Sequence, residues 1–89
     1  MQKKHPYTLG GKYLVRTVTM TLLGRLSAVY KKELVLNDAS WVADTGRFSK
    51  ALATGELNEV EPFMKDAIVS RNGIIDVTEW IHALPCDVK

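Results

Sequence analysis

Four carboxylates in this 89-residue chain are its best candidates for acid–base chemistry: Asp38, Asp44, Glu59 and Glu61. General acid–base catalysis needs titratable groups that converge around a substrate in a cleft. The spacing of these four residues defines no such pair. The sequence also has no phosphate-binding glycine loop and no dinucleotide fingerprint. We therefore expect a protein that is not an enzyme.

Metal and redox chemistry are also not indicated. Cys86 is the one cysteine, so the chain cannot form an internal disulfide, and His5 and His82 do not combine with it at a zinc-ligand spacing. His82 shares a predicted strand face with Trp80, which favours a structural histidine. We expect no metal and no cofactor.

Basic residues, which can bind phosphate, are concentrated in the first part of the chain. Residues 1–50 contain nine lysines and arginines against three acidic residues, whereas residues 51–89 contain three against seven. The basic part can attract nucleic acid. Alternatively, the two parts can meet within the fold or across a subunit contact, or form a solvated surface of mixed charge. The net charge of +2 is small for a dedicated nucleic-acid binder and supports a role in assembly, whereas the pI of 8.8 does not choose among these readings.

The length and composition predict one folded domain over residues 1–89. A chain with 46% hydrophobic and 25% charged residues can fold, but at this size its core is thin. No apolar run approaches the roughly 20 residues that span a bilayer. The stretch MQKKHPYTLGG lacks the apolar segment of a signal peptide. We therefore expect a cytoplasmic location and no membrane partner.

Alternating apolar and polar residues predict five short antiparallel strands, at residues 12–20, 22–30, 33–39, 67–70 and 74–84. Lys31 and Lys32 leave room only for a tight turn, so the second and third strands form a hairpin. Gly24 within the second strand indicates a sharp bend or a close backbone approach. Arg71-Asn72-Gly73 contains the Asn-Gly pair typical of a hairpin and predicts that the last two strands pair.

An insert at about residues 40–65 separates the third and fourth strands. The stretch DTGRFSKALATG predicts one short helix in it, capped by Asp44 or Thr45 and ending at Gly55. Trp41 and Trp80 are expected to be packing anchors. The order of elements favours a small, strongly bent barrel of the SH3 or OB kind.

The stretch TLLGRLSAVYKKELVLNDA, residues 21–39, resembles the first sequence motif of Sm and Sm-like proteins. The likeness rests on Gly24, Leu26, Val29, Val35, Leu36, Asp38 and Ala39. The stretch IVSRNGIIDV, residues 68–77, is similar to the second motif of that family. The whole chain also has a looser likeness to uncharacterised, Sm-like small proteins of phages, of the cyanophage type. The resemblance implies a five-stranded antiparallel barrel of the Sm-like, SH3-type class.

Three departures from the Sm pattern limit what the resemblance implies. The family's turn carries an aspartate and an asparagine that bind a base, whereas this chain has Tyr30-Lys31-Lys32-Glu33. The second motif normally reads Arg-Gly-Asn, but here Asn72 precedes Gly73. The N-terminal helix of the family has no counterpart in the first eleven residues. Uridine specificity is therefore not carried over.

The resemblance implies a closed ring of about five to seven identical subunits. Both motif turns would then face the pore, with Tyr30, Lys31, Lys32, Arg71 and Asn72 as the nucleic-acid-binding residues. The two lysines can also be a solvated turn, and the tyrosine can also be a core residue. We expect a non-catalytic ring that binds RNA or single-stranded DNA, in the cytoplasm of a bacterial host if a phage encodes it. The alternative is a structural or protein-interaction ring of a phage assembly that binds no nucleic acid.

Overall fold

The fold consists of six strands and two short helical segments in residues 5–89, the part of the chain that the computed structural model describes. In chain order, these elements are β1 (Lys12–Thr17), β2 (Thr21–Val29), β3 (Glu33–Asp44), α1 (Phe48–Thr54), β4 (Glu59–Pro62), β5 (Ala67–Ser70), a 3-10 helix (Arg71–Gly73) and β6 (Ile74–Glu79). The prediction of a mainly β domain with one short α-helix is confirmed. The predicted count of five strands is wrong. The expected insert at 40–65 contains β4, and its residues 40–44 belong to β3.

The strands form one antiparallel sheet in the order β4-β3-β2-β1-β6. β3 has two partners along its second edge: residues 33–36 pair with β5, and residues 40–44 pair with β4. β5 does not pair with β6, so the sheet is not closed. The antiparallel sheet is thus confirmed, whereas the strongly bent barrel of the Sm-like, SH3-type class stays a prediction.

The bend predicted at Gly24 is present and involves both β2 and β3. The pairing register of these strands shifts between Leu23 and Arg25. On the facing strand, Asp38 has a φ of 48°, in the left-handed region that residues with a side chain seldom adopt. A Cβ at Gly24 would lie 3.0 Å from the Cβ of Leu36. Glycine is therefore needed here because the two strands approach closely.

Both faces of the sheet carry a buried apolar cluster. The first cluster contains residues of β1, β2, β3 and β5: Tyr13, Val15, Leu22, Leu26, Leu34, Leu36, Ala39, Ala67 and Val69. The second contains alternate residues of the first three strands together with residues of α1, β4 and the connecting segments: Leu14, Leu23, Val42, Ala51, Leu57, Val60 and Trp80. This division follows from the period of two along a strand. The helix and the segment after β6 thus cover the second face.

The helix α1 begins later than the sequence predicts. Arg47, not Asp44 or Thr45, occupies the N-cap position, and it makes no side-chain cap hydrogen bond. Asp44 instead accepts a hydrogen bond of 2.8 Å from a backbone amide two residues along the chain. The predicted end at Gly55 is confirmed. This glycine has a φ of 80°, and its amide donates to the carbonyl of Ala51 at 2.8 Å.

The segment after β6 leaves the sheet earlier than expected. β6 ends at Glu79 instead of continuing to Leu84, because Trp80 turns into the second cluster, where it is 3% exposed. The predicted packing role of Trp80 is confirmed. The Nε2 atom of His82 lies 2.8 Å from the carbonyl oxygen of Leu52, in the last turn of α1. This histidine therefore links the segment to the helix.

Candidate nucleic-acid interface

The turn between β2 and β3 contains three of the predicted binding residues. The amide of Tyr30 donates to the carbonyl of Glu33 at 2.8 Å, which closes a tight turn with Lys31 and Lys32 at its tip. Both lysine side chains are exposed. The hairpin predicted for these two strands is confirmed by their antiparallel pairing.

The segment Arg71–Gly73 is a 3-10 helix, and the hairpin predicted there is wrong. β5 pairs with β3 and β6 pairs with β1, so the strands on either side of this helix do not pair with each other. An Asn-Gly hairpin turn of type I′ requires positive φ at both residues. Neither Asn72 nor Gly73 has a positive φ. The 3-10 helix instead carries the chain from one edge of the sheet to the other.

Arg71 connects the 3-10 helix to the β2–β3 turn. Its amide donates to the carbonyl of Lys32 at 2.9 Å, and its Nη1 donates to the carbonyl of Tyr30 at 2.9 Å. The pairing of Glu33 with Ser70 joins the strands directly beside these contacts. The structure thus brings five residues into one surface, here named the turn surface: Tyr30, Lys31, Lys32, Arg71 and Asn72.

Most of the turn surface is open to solvent. Tyr30 is 58% exposed, so it is not a core residue. Lys31, Lys32 and Asn72 are exposed, and Arg71 is half-buried by its contacts with the neighbouring backbone. The guanidinium has five N–H donors, of which this contact uses one. The surface therefore combines accessible cations, an amide and an aromatic ring.

The ion pairs found in residues 5–89 lie outside the turn surface. Arg16 donates from Nε to Oδ1 of Asp76 at 2.8 Å, and this hydrogen bond together with the guanidinium charge lowers the pKa of Asp76. Lys50 pairs with Glu56 at 3.2 Å. The described part of the chain gives Lys31 and Lys32 no acidic partner. Their charges are thus not neutralised by a direct contact.

The carboxylates considered for acid–base chemistry do not form a site with the turn surface. Asp44 faces Glu59 across the β3–β4 pair, but both residues are exposed. Asp44 also accepts a hydrogen bond from Gly46 at 2.8 Å. No group of three or more His, Cys, Asp or Glu residues in the described range could hold a metal ion. The accessible cations of the turn surface are suited to contact an anion.

Sequence reasoning missed the exposed apolar residues along the two outer strands β5 and β6. Ile68 is 72% exposed and Ile75 is 66% exposed. Within the described sheet, each of these strands has one unpaired edge. A groove of about 240 Å³ runs between β5 and the β1–β2 turn, where Val18 is 75% exposed. The sequence carries one signal of this surface at Ile68. Its neighbours Ala67 and Val69 pack inward, so the alternation along the strand places the side chain of Ile68 on the outer face.

Comparison with known proteins identifies no relative of this chain. No protein family, curated protein or solved structure matches it. No helix within residues 5–89 is long and apolar enough to cross a membrane. The geometry alone therefore defines the class: a small antiparallel β domain with a basic surface formed by the β2–β3 turn and the 3-10 helix.

Proposed function

We propose that this protein binds RNA or single-stranded DNA on the turn surface and catalyses no reaction. The observation that supports this most strongly is the pair of hydrogen bonds from Arg71 to the carbonyls of Tyr30 and Lys32, each 2.9 Å long. These bonds hold two lysines and an exposed tyrosine beside the arginine and Asn72. Lysine attracts phosphate, and stacking of a base on an aromatic ring contributes roughly 1–3 kcal/mol.

The proposal includes a ring of about five to seven subunits, each a small, strongly bent barrel of the Sm-like, SH3-type class. The unpaired edges of β5 and β6 support it, since β5 of one subunit can pair with β6 of the next. Such a contact joins two different surfaces and closes into a ring when the rotations complete a full turn. It would cover Ile68 and Ile75 and would protect both edges from aggregation.

In such a ring, the turn surfaces of all subunits repeat around one axis. Each subunit contributes Lys31, Lys32 and Arg71 to the same pore, and repeated cations strengthen the attraction for a polyanion. Binding releases the counterions of the strand, so the affinity falls as the salt concentration rises. Bases that stack on Tyr30 need no particular sequence, because every base has a π face.

A second candidate function is a structural or protein-interaction ring of a phage assembly that binds no nucleic acid. The exposed isoleucines of β5 and β6 favour it, because exposed apolar residues on neighbouring strands mark sites of protein–protein contact. This argument holds whether or not nucleic acid binds. The small net charge of +2 also favours it. The two functions share the ring and differ in what the turn surface does.

Fluorescence anisotropy with a labelled, mixed-sequence single-stranded RNA at several salt concentrations tests the binding. The double variant Lys31→Ala/Lys32→Ala should weaken binding. It should also lower the slope of log affinity against log salt by about 1.4, since each phosphate contact on a single strand contributes about 0.7. The matched control is Lys65→Ala/Lys89→Ala, which removes the same charge from exposed positions outside the turn surface that form no ion pair among residues 5–89. Equal effects of the two double variants, or no binding by the unmodified protein, would contradict the proposal.

Native mass spectrometry of the same samples measures the assembly. A closed ring that takes up RNA supports the proposed function. A ring that does not bind RNA supports the structural alternative. A monomer at micromolar concentration would exclude both ring functions. The double lysine variant should remain a ring, because its two positions lie in a turn and not on β5 or β6.

A further inference from the structure

A cavity of about 480 Å³ lies apart from the turn surface, between the sheet and the segments at residues 62–63 and 83–86. Its lining includes the charged residues Lys12, Arg25 and Asp38 and the apolar residues Phe63 and Leu84. Sites for small ligands occupy roughly 300–1,000 Å³ and combine apolar walls with a few polar groups. The cavity fits this description and shares no residue with the turn surface.

Lys12 and Arg25 form a cationic side of the cavity. They are direct neighbours across β1 and β2. The Nζ of Lys12 donates to the carbonyl of His82 at 2.5 Å, and Nη1 of Arg25 donates to the carbonyl of Gly10 at 3.1 Å. Each contact uses one donor, and an ammonium has three while a guanidinium has five. Neither residue forms an ion pair within the described chain. Both can therefore donate further hydrogen bonds to an anion.

Asp38 places a hydrogen-bond acceptor in the same cavity. Its φ of 48° belongs to the bend of β3, and such unusual backbone angles concentrate at functional sites. The side chain is exposed and has no ion pair among residues 5–89. An ionised carboxylate only accepts hydrogen bonds. A ligand that hydrogen-bonds to it must therefore present an N–H or O–H donor.

Phe63 supplies an aromatic surface on the wall. Its amide donates to the carbonyl of Ala39 at 2.8 Å, which fixes this residue against β3, while its side chain is 42% exposed. Leu84 and Pro85 line the cavity as well and are half-buried. A flat heteroaromatic ring can pack on Phe63 and these apolar side chains.

We propose that this cavity binds a single nucleotide whose base carries an exocyclic amino group. The phosphate binds Lys12 and Arg25, the base packs on Phe63, and the amino group donates to Asp38. A carboxylate accepts from the amino group of cytosine in the same way in nucleic-acid recognition. Uracil has a carbonyl oxygen at that position, which repels a carboxylate. This inference goes beyond the proposed function, because it holds even if the turn surface binds no polymer.

NMR titration of the isotope-labelled full chain with CMP and UMP tests the selectivity. The two nucleotides differ at the position that Asp38 would recognise. We expect CMP to bind at least about fivefold more tightly than UMP, with the largest shifts at the amides of Asp38, Phe63 and their neighbours. Equal affinities would overturn the proposal, as would no shift with either nucleotide. Shifts confined to the turn surface would also overturn it, while supporting nucleotide binding at the site of the proposed function.

Variants then test each contact. Arg25→Ala should weaken CMP binding several-fold, and Asp38→Asn should abolish the preference for CMP over UMP. Phe63→Ala should weaken the binding of both nucleotides. Met64→Ala, at a fully exposed neighbouring position, should leave both affinities unchanged. If the alanine variant of Phe63 does not fold, Phe63→Leu keeps an apolar side chain and removes the aromatic face. A preference for CMP that persists in Asp38→Asn would refute the role of the carboxylate.

Discussion

Replacing Gly24 by alanine tests the close approach of β2 and β3 at their shared bend. The new Cβ would lie 3.0 Å from the Cβ of Leu36, 3.1 Å from the carbonyl oxygen of Asn37 and 3.2 Å from the Cα of Ala39. All three distances are below the 3.4 Å at which ordinary van der Waals contact begins. Two of the three atoms belong to the backbone, which cannot rotate away as the tip of a side chain can. The substitution must therefore push the strands apart.

The expected loss of stability is about 1–2 kcal/mol. Adding a group to a well-packed core typically costs 1–3 kcal/mol, and Leu36 has no exposed surface that would let it yield. The lower conformational entropy of alanine in the unfolded chain offsets about 0.4–1 kcal/mol of this cost. Urea unfolding followed by circular dichroism measures the difference, at one protein concentration because assembly would change the apparent stability.

Gly73→Ala is the matched control for Gly24→Ala. A Cβ at Gly73 meets no atom within 4 Å, and the φ of this glycine is not positive. Its stability should be unchanged or should rise by up to about 1 kcal/mol, because only the unfolded chain is affected. If Gly24→Ala proves as stable as Gly73→Ala, the close approach of the two strands is refuted.

Three further variants test other parts of the fold. The Arg16–Asp76 ion pair stabilises the protein at pH values above the unfolded-state pKa of the Asp76 carboxyl, and this stabilisation is lost as the pH falls through its lowered folded-state pKa. Asp76→Asn should therefore flatten the acid side of a curve of unfolding free energy against pH. An unchanged curve would contradict the pairing. Gly55→Ala should lower the urea midpoint by the equivalent of at least about 1 kcal/mol. The reason is that the φ of Gly55 is 80° and an added Cβ would lie 2.7 Å from the Cγ of His82. A variant as stable as the unmodified protein would contradict this contact. Leu26→Ala, at a position with 0% exposure, should cost about 2–5 kcal/mol in the same assay, and a loss below about 1 kcal/mol would contradict its place in the first cluster.

The features that the sequence predicts correctly are those that short-range geometry decides. The turn at Lys31 and Lys32 is too short for any connection except a hairpin. Gly24 marks the bend because glycine is the one amino acid without a Cβ. The Asn72-Gly73 signal fails, because long-range pairing decides the path of the chain there. Pairing β5 with β3 places Ala67 and Val69 in the first cluster, while β6 pairs with β1.

Strand β4 shows why the segment at 40–65 could not be predicted in detail. Its sequence, Glu-Val-Glu-Pro, has one apolar residue between two acidic ones and ends in proline, which is depleted in strands. Val60 nevertheless packs in the second cluster. It also exchanges two backbone hydrogen bonds of 2.9 Å with Lys89. These contacts come from distant parts of the chain, so local propensity does not reveal them.

The resemblance to the Sm motifs predicts that the residues of the two motif turns share one surface, but it does not predict the contacts that hold them together. Nothing in the sequence indicates that the guanidinium of Arg71 binds the carbonyl of Tyr30. Trp41, expected to be a packing anchor, is 39% exposed on β3. The cavity beside Asp38 is equally invisible in the sequence, because segments far apart in the chain form its walls.

Strand β3 connects the two candidate sites and also keeps them separate. Its residues 33–36 pair with β5 and thereby fix the turn surface, whereas its residues 40–44 pair with β4 and lead to the cavity wall. Asp38 lies at the bend between these two halves. Because each half has its own partner strand, a variant at Lys31 should not alter nucleotide binding beside Asp38, and Asp38→Asn should not alter RNA binding on the turn surface. Coupling between them would mean that the bend itself moves when a ligand binds.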